Sequence, residues 1–206
     1  MSPSFLITFL YRVSQGSKEG KAAWKHRKAA LDELEGALAS CSGLIDSGPP
    51  QRKKLVDLCR ALRDRLSDTQ INLRPVAARN LGNLLLVVDK TTQAKLGKIA
   101  YGPLITGAMN DIKKPMRDAC LEGLRVGTSL PELEGGGINE EALESLVSAL
   151  VAEVNESSVR VSFVVVYSFV KVAISFSHIV FPHQGGRTRG GFGISGKHRS
   201  PTSESR

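Results

Sequence analysis

From residue 20 to about 158, apolar residues recur every three to four positions in blocks separated by short polar or Gly/Pro-containing breaks. That is the period of a helix with one buried face. Trp24 to Ala39 places Ala30, Leu31, Leu34 and Leu38 on one face, with Lys28 and Asp32 paired one turn apart outside it. Gly48-Pro49-Pro50 breaks the chain. Residues 51 to 66 then align Leu55, Leu58, Cys59, Leu62 and Leu66, with Arg52, Lys53, Arg60 and Arg63 off the stripe. Ser67 to Asn72 is a polar loop. Pro75 falls in the first turn of the next helix, where its missing N–H costs nothing, and Ala77, Leu81, Leu84, Leu85 and Val88 follow as that helix's buried face. The stretch 92 to 110 reads as a helix pair or as one helix kinked near Gly102-Pro103. A helix over 116–126 follows the loop from Asn110 to Pro115, and Pro131 to Gly137 is a linker. Asn139 caps a last helix with Glu140 and Glu141 in its first turn, and Leu143, Leu146, Val147, Leu150 and Val154 are expected to point inward.

These helices repeat. Arg27, Arg74, Arg117 and Arg160 are spaced by 47, 43 and 43 residues, and the first three lead into similar small-and-apolar runs. Asp68 precedes Arg74 by six residues, as Asp111 precedes Arg117. A period in the low-to-mid forties built from paired helices predicts an all-α fold, an α-solenoid of HEAT-type repeats. Each helix is too short and one-sided to be stable alone, so stacking must supply the core. The recurring arginines are expected to be structural ion pairs that set the stacking, with Arg27 the one that could also touch a partner.

The pattern stops after Asn155 to Arg160, which reads as a fourth repeat loop. Val161 to Phe181 is rich in Val, Phe and Ser, which favour strand over helix. Gly185 to Arg206 has the Gly, Ser and Arg content of a disordered tail. The division expected is therefore an N-terminal extension over 1–19, a truncated helical array over 20–160, and a divergent tail over 161–206, foreign to the fold. A membrane span over 161–181 is disfavoured: Lys171 sits near its middle, at a cost of ~2.5–3.5 kcal/mol. The apolar run from Phe5 to Tyr11 has no basic residue ahead of it and is short for a signal peptide.

The net charge of +8 points to an acidic partner, although Arg187, Arg189, Lys197, Arg199 and Arg206 in the tail account for much of it. Cys41, Cys59 and Cys120 lie on apolar helical faces without metal or disulfide spacing, and no set of His, acids or Cys has nucleophile spacing. No enzymatic activity, cofactor or small-molecule substrate is expected. The glycines and arginines near 185–193 resemble an RNA-binding tail only weakly, so neither nucleic acid nor membrane is an expected partner.

The run Trp24-Lys25-His26-Arg27-Lys28-Ala29-Ala30-Leu31-Asp32-Glu33-Leu34 resembles the first helical repeat of a TOG domain, the tubulin-binding array of the microtubule polymerase family. Ser67 to Arg74 and Asn110 to Arg117 are similar to the loops within that family's repeats. The resemblance covers about residues 20 to 160 and is closest to a fourth TOG domain. It implies non-enzymatic binding of tubulin or microtubules in support of microtubule growth, with a cytoplasmic location on the cytoskeleton, spindle or centrosome. It also implies that Trp24 anchors the contact, that Lys25, Lys113 and Lys114 supply electrostatic contacts, and that Gln70 and Ile71 in the middle loop are weaker contacts. Without the resemblance, the same residues are compatible with a general HEAT-type scaffold in which Trp24 packs over its helix start, or with a basic RNA- or membrane-associated protein driven by the tail.

Overall fold

The computed structural model describes residues 3–14, 23–41, 44–130 and 136–156. Seven helices follow one another: α1 (Pro3–Ser14), α2 (Ala23–Ala39), α3 (Pro49–Arg65), α4 (Arg74–Leu86), α5 (Lys90–Asn110), α6 (Lys114–Gly127) and α7 (Glu140–Glu156). A 3-10 turn, Ile71–Leu73, leads into α4. No strand occurs among the described residues, and the one β-type contact is an isolated bridge between Ser129 and Ile138. The protein is all-α over this span.

The helices pack in two layers. α1, α3, α5 and α7 lie against one another in chain order, as do α2, α4 and α6, and α1–α2, α3–α4 and α5–α6 pair across the layers. Three helix hairpins are thus stacked, with α7 continuing the first layer. The loops inside the hairpins share one edge and the connections between hairpins share the other. Pro3–Ser14, expected from the sequence to precede the array, is its first helix; Phe9 and Val13 are buried in the core.

Local chemistry explains the helix boundaries. Prolines occupy the first turns of α3, α4 and α6, where no N–H is needed. Asp89 caps α5 by accepting the Thr92 N–H at 2.9 Å, and Asn139 caps α7 by accepting the Glu141 N–H at 3.1 Å. The stretch expected as a pair or a kinked helix is a single helix, α5, with Pro103 inside it. Length explains this outcome: neighbours α3, α6 and α7 pack along α5 on several sides, and their burial outweighs the one backbone bond that the proline removes.

The core is a continuous band of leucines, including Leu31, Leu34, Leu58, Leu62, Leu81, Leu84, Leu85 and Leu96, all fully buried. The closest approach joins α4 to α6. A Cβ built on Gly82 would lie 2.6 Å from the Gly123 Cα and 2.7 Å from its carbonyl, and one on Gly123 would lie 2.7 Å from the Ala78 carbonyl. Bare backbone is what allows that crossing. Buried polar groups tie the layers: Asn80 Nδ2 donates to the Leu31 carbonyl at 2.9 Å, and the Tyr101 hydroxyl donates to the Gly127 carbonyl at 2.8 Å. Burial raises the Tyr101 hydroxyl pKa well above its ordinary value.

In α7, Ala142 and Leu146 are buried, and Leu143 and Leu150 are partly buried against the core. Val147, expected inward, is 39% exposed. Val147 and Val151, four residues apart, are both exposed and share one face of α7, while the buried stripe runs through Ala142 and Leu146. The side chain of Val154, Arg160 and the whole segment 161–206 lie outside the described residues. Among the described residues, no helix is long and apolar enough to cross a membrane.

Candidate functional site

The recurring arginines organise the loop edge. Arg27, in the second turn of α2, donates from Nε to Asp68 Oδ2 at 3.0 Å and from Nη2 to Oδ1 at 3.2 Å. The two side chains are 3% and 1% exposed. Arg65 adds a third contact to the same carboxylate at 2.9 Å, and the Gln70 N–H donates to it at 2.8 Å. Burial alone would raise the Asp68 pKa; the Gln70 N–H bond and the Arg27 and Arg65 guanidinium groups reverse that and lower it.

The next hairpin repeats the arrangement in weaker form. Arg74 donates to the backbone carbonyl of Asp68 at 2.7 Å and approaches the Asp111 carboxylate at 4.0 Å. Arg117 donates to the backbone carbonyls of Asp111 and Ile112 at 2.9 and 2.8 Å. Each second-helix arginine therefore pins the loop immediately before it through a carbonyl (Arg74 and Arg117) and reaches the carboxylate of the following hairpin's loop (Arg27 and Arg74). The sequence suggested that each aspartate served the arginine six residues later. The chain uses the aspartate carbonyl for that arginine and its carboxylate for the one before, so one short motif serves two hairpins. Arg160, the fourth in the series, lies outside the described residues.

These bonds hold the start of α2, the α3–α4 loop and the α5–α6 loop along one edge. Trp24 is half-buried there, while Lys25 and His26 are exposed. Gln70 is exposed and Ile71 is 41% exposed. Lys113 is exposed at the N-cap of α6, and Lys114 is 76% exposed with its ammonium on Asp118. Among the described residues, no side-chain hydrogen bond or ion pair joins Trp24, Gln70, Ile71 and Lys113 to one another; what they share is the edge. The helices α2, α4 and α6 all begin at this edge without an acidic residue in the first turn. Their positive dipole ends and the lysines reinforce one another toward solvent.

Ile112 was missed from the sequence. It stands at the tip of the α5–α6 loop and is 95% exposed, yet its backbone is fixed. The Lys113 N–H donates to Asp111 Oδ1 at 2.8 Å, and Arg117 holds the Ile112 carbonyl. A lone isoleucine in a polar loop carries no periodicity, so only its position beside Lys113 and Lys114 could have singled it out.

No protein-family model, curated protein or solved structure matches the chain. The site's reading therefore rests on its own chemistry. Among the described residues, no group of His, Cys, Asp or Glu could hold a metal ion. Cys59 and Cys120 are buried, and burial pushes each thiol up to about 12. A groove of about 670 Å³ opens between α3, α5 and the start of α4, lined by Arg63, Arg74, Pro103, Thr106, Asn110 and Asp111 among others. Its cations and carboxylates are mixed, and Arg63 is already held by Asp64 at 2.8 Å. What the edge offers is a line of cations with an aromatic and two aliphatic side chains.

Proposed function

We propose that the protein is a tubulin-binding module built on a HEAT-type stack, a partial TOG-like array that contacts tubulin or microtubules through its loop edge. The observation that carries the reading is the alternation of Arg27, Asp68, Arg74 and Asp111, which joins successive loops into one rigid line. On that line Trp24, Ile71 and Ile112 supply apolar contact, while Lys25, Lys113 and Lys114 orient an acidic partner. Anchors of this kind carry most of a small interface's energy, about 2 kcal/mol or more for a large side chain that fills a partner pocket. Lysines on the rim act mainly on approach and orientation. The role is non-enzymatic support of microtubule growth, with a location on the cytoskeleton.

A second reading is favoured by one observation, the half-burial of Trp24. If its indole packs on its own helix start, the same edge serves as a scaffold for another acidic protein. Sedimentation of the full chain with purified tubulin separates the two readings. Co-migration that is lost on Trp24→Ala supports the first; no co-migration of the folded wild-type chain supports the second.

A further inference from the structure

A second set of cations lies away from the loop edge. Arg52, Lys53, Lys90, Lys95 and Lys98 are exposed and Lys54 is half-buried, all on the N-terminal halves of α3 and α5. None of them takes part in an ion pair among the described residues, whereas Lys28, Arg65, Arg79, Lys114 and Arg125 all do. We propose that this surface binds an acidic, extended polypeptide segment, separately from the loop edge.

The two helices lie side by side in one layer and run in the same direction, because each is followed by a hairpin turn. The Cys59 thiol meets the Leu96 carbonyl at 3.8 Å, which sets their register. In that register Lys53 lies alongside Lys90, and Arg60 alongside Lys95 and Lys98. Over residues 46–60 and 89–98 three carboxylates are described, each engaged within the chain, while Glu140, Glu141 and Glu144 open the neighbouring α7. Asp46 accepts the Gly48 N–H at 2.9 Å, Asp57 faces Arg60 at 3.6 Å, and Asp89 caps α5. Over those two stretches seven described cations, counting Arg60, therefore stand against three carboxylates.

Helix electrostatics make part of this placement costly for folding, because Arg52 lies in the first turn of α3 and Lys90 in that of α5. A cation in the first turn of a helix opposes the macrodipole, by roughly 0.3–1 kcal/mol each when exposed. Neither α3 nor α5 has an acid in its first turn, whereas α7 in the same layer begins with Glu140 and Glu141. Among the described residues these lysines are left unpaired and open to an acidic partner.

The chemistry selects among anionic partners. None of the exposed large apolar side chains among the described residues falls on α3 or α5; those on neighbouring helices are Tyr11 of α1 and Val147 and Val151 of α7. The helix pair itself therefore offers bases no stacking platform and a bilayer no apolar wedge. The set is mostly lysine, a point charge suited to carboxylates spread along a flexible chain, not the arginine fork that suits phosphate. Glu140, Glu141 and Glu144 begin α7 on the other flank of α5. They repel an acidic chain and confine it to the α3–α5 side.

Anisotropy of a fluorescein-labelled deca-glutamate peptide tests the proposal with the full chain at about 50 mM salt, where charge effects are only partly screened. Every protein compared carries alanines for Arg187, Arg189, Lys197 and Arg199, which removes the tail's own attraction for the probe. Lys53→Glu/Lys95→Glu/Lys98→Glu should weaken binding roughly tenfold or more, and Lys113→Glu/Lys114→Glu less than threefold. A Lys→Gln triple at the same positions should fall between the parent and the Glu triple, and it serves as the test if the Glu triple loses helical signal. Unchanged peptide binding in the folded triples overturns the proposal. So does a triple-sensitive single-stranded oligonucleotide, or phosphatidylserine vesicle, that binds at least as tightly as the peptide.

Discussion

Arg27 and Asp68, 41 residues apart, meet through two hydrogen bonds in a site where both side chains are nearly sealed from solvent. The aspartate is shared: its carboxylate belongs to Arg27 and Arg65, and its backbone carbonyl to Arg74. Three elements are thereby locked together at one residue.

Removing that carboxylate leaves Arg27 buried without its counter-charge, so Asp68→Asn should lower unfolding free energy by about 3–5 kcal/mol. Asp111→Asn should cost less than about 1 kcal/mol, because the Arg74–Asp111 pair is longer and partly exposed. Urea denaturation of the two variants checks the contrast; equal losses would mean that the two rungs are equivalent.

Acid should act through the same group. Asp68 and Asp89 both have lowered pKa values in the fold, each despite burial that opposes it; bonds from Gln70 and Arg27 act at the first, and from Ser47 and Thr92 at the second. Their contribution is complete above the unfolded carboxylate pKa of about 3.9 and is lost as pH falls through the folded values. Urea midpoints should therefore drop below about pH 4. The gap between the wild type and Asp68→Asn should narrow there, since the wild-type carboxyl is then neutral too.

Gly82→Ala sets two effects against each other. Alanine gains up to ~1 kcal/mol of helix propensity, but its Cβ meets the Gly123 backbone at 2.6 Å. Backbone cannot rotate away as a side chain can, and overpacking costs typically 1–3 kcal/mol or more. A net loss of about 1–2 kcal/mol is expected in thermal or urea unfolding, and Gly102→Ala, with nothing within 4 Å, should be neutral or stabilising.

Thiol labelling reads the core directly. Burial pushes the Cys59 and Cys120 thiols up to about 12, so both should resist maleimide at neutral pH until the chain unfolds. Cys41 is half-buried and should label first. Rapid native labelling of Cys120, followed by mass spectrometry, would contradict the packing of α6 on α5.

Much of this architecture is legible in the sequence. The leucine stripes of α2 to α4 and the caps at Pro75 and Asn139 follow from periodicity and local backbone chemistry, which depend only on near neighbours. The direction of the Asp68 carboxylate does not, because an aspartate six residues before an arginine looks like its partner until the next hairpin is in place. α1 was hidden because its apolar run is short and lies near the first residue, where it reads as a terminal extension until Phe9 and Val13 are seen buried against the following helices. Val147 was read as inward because its spacing fits the stripe, and only its exposure, shared with Val151, shows that the buried face lies elsewhere. Trp24, Lys25, Lys113 and Lys114 were singled out through the family resemblance in register with the repeat, whereas Ile112 needed its exposure to be seen.

The measurement closest to the central claim is the affinity of purified tubulin for the full chain, compared with Ile112→Ala, Trp24→Ala and Lys113→Glu/Lys114→Glu. Each variant should stay folded, and each should weaken binding, by roughly tenfold for a lost anchor worth about 1.4 kcal/mol. The lysine variant should act chiefly on the association rate and its salt dependence. Tubulin binding left unchanged by all three substitutions would contradict the loop edge as the contact surface.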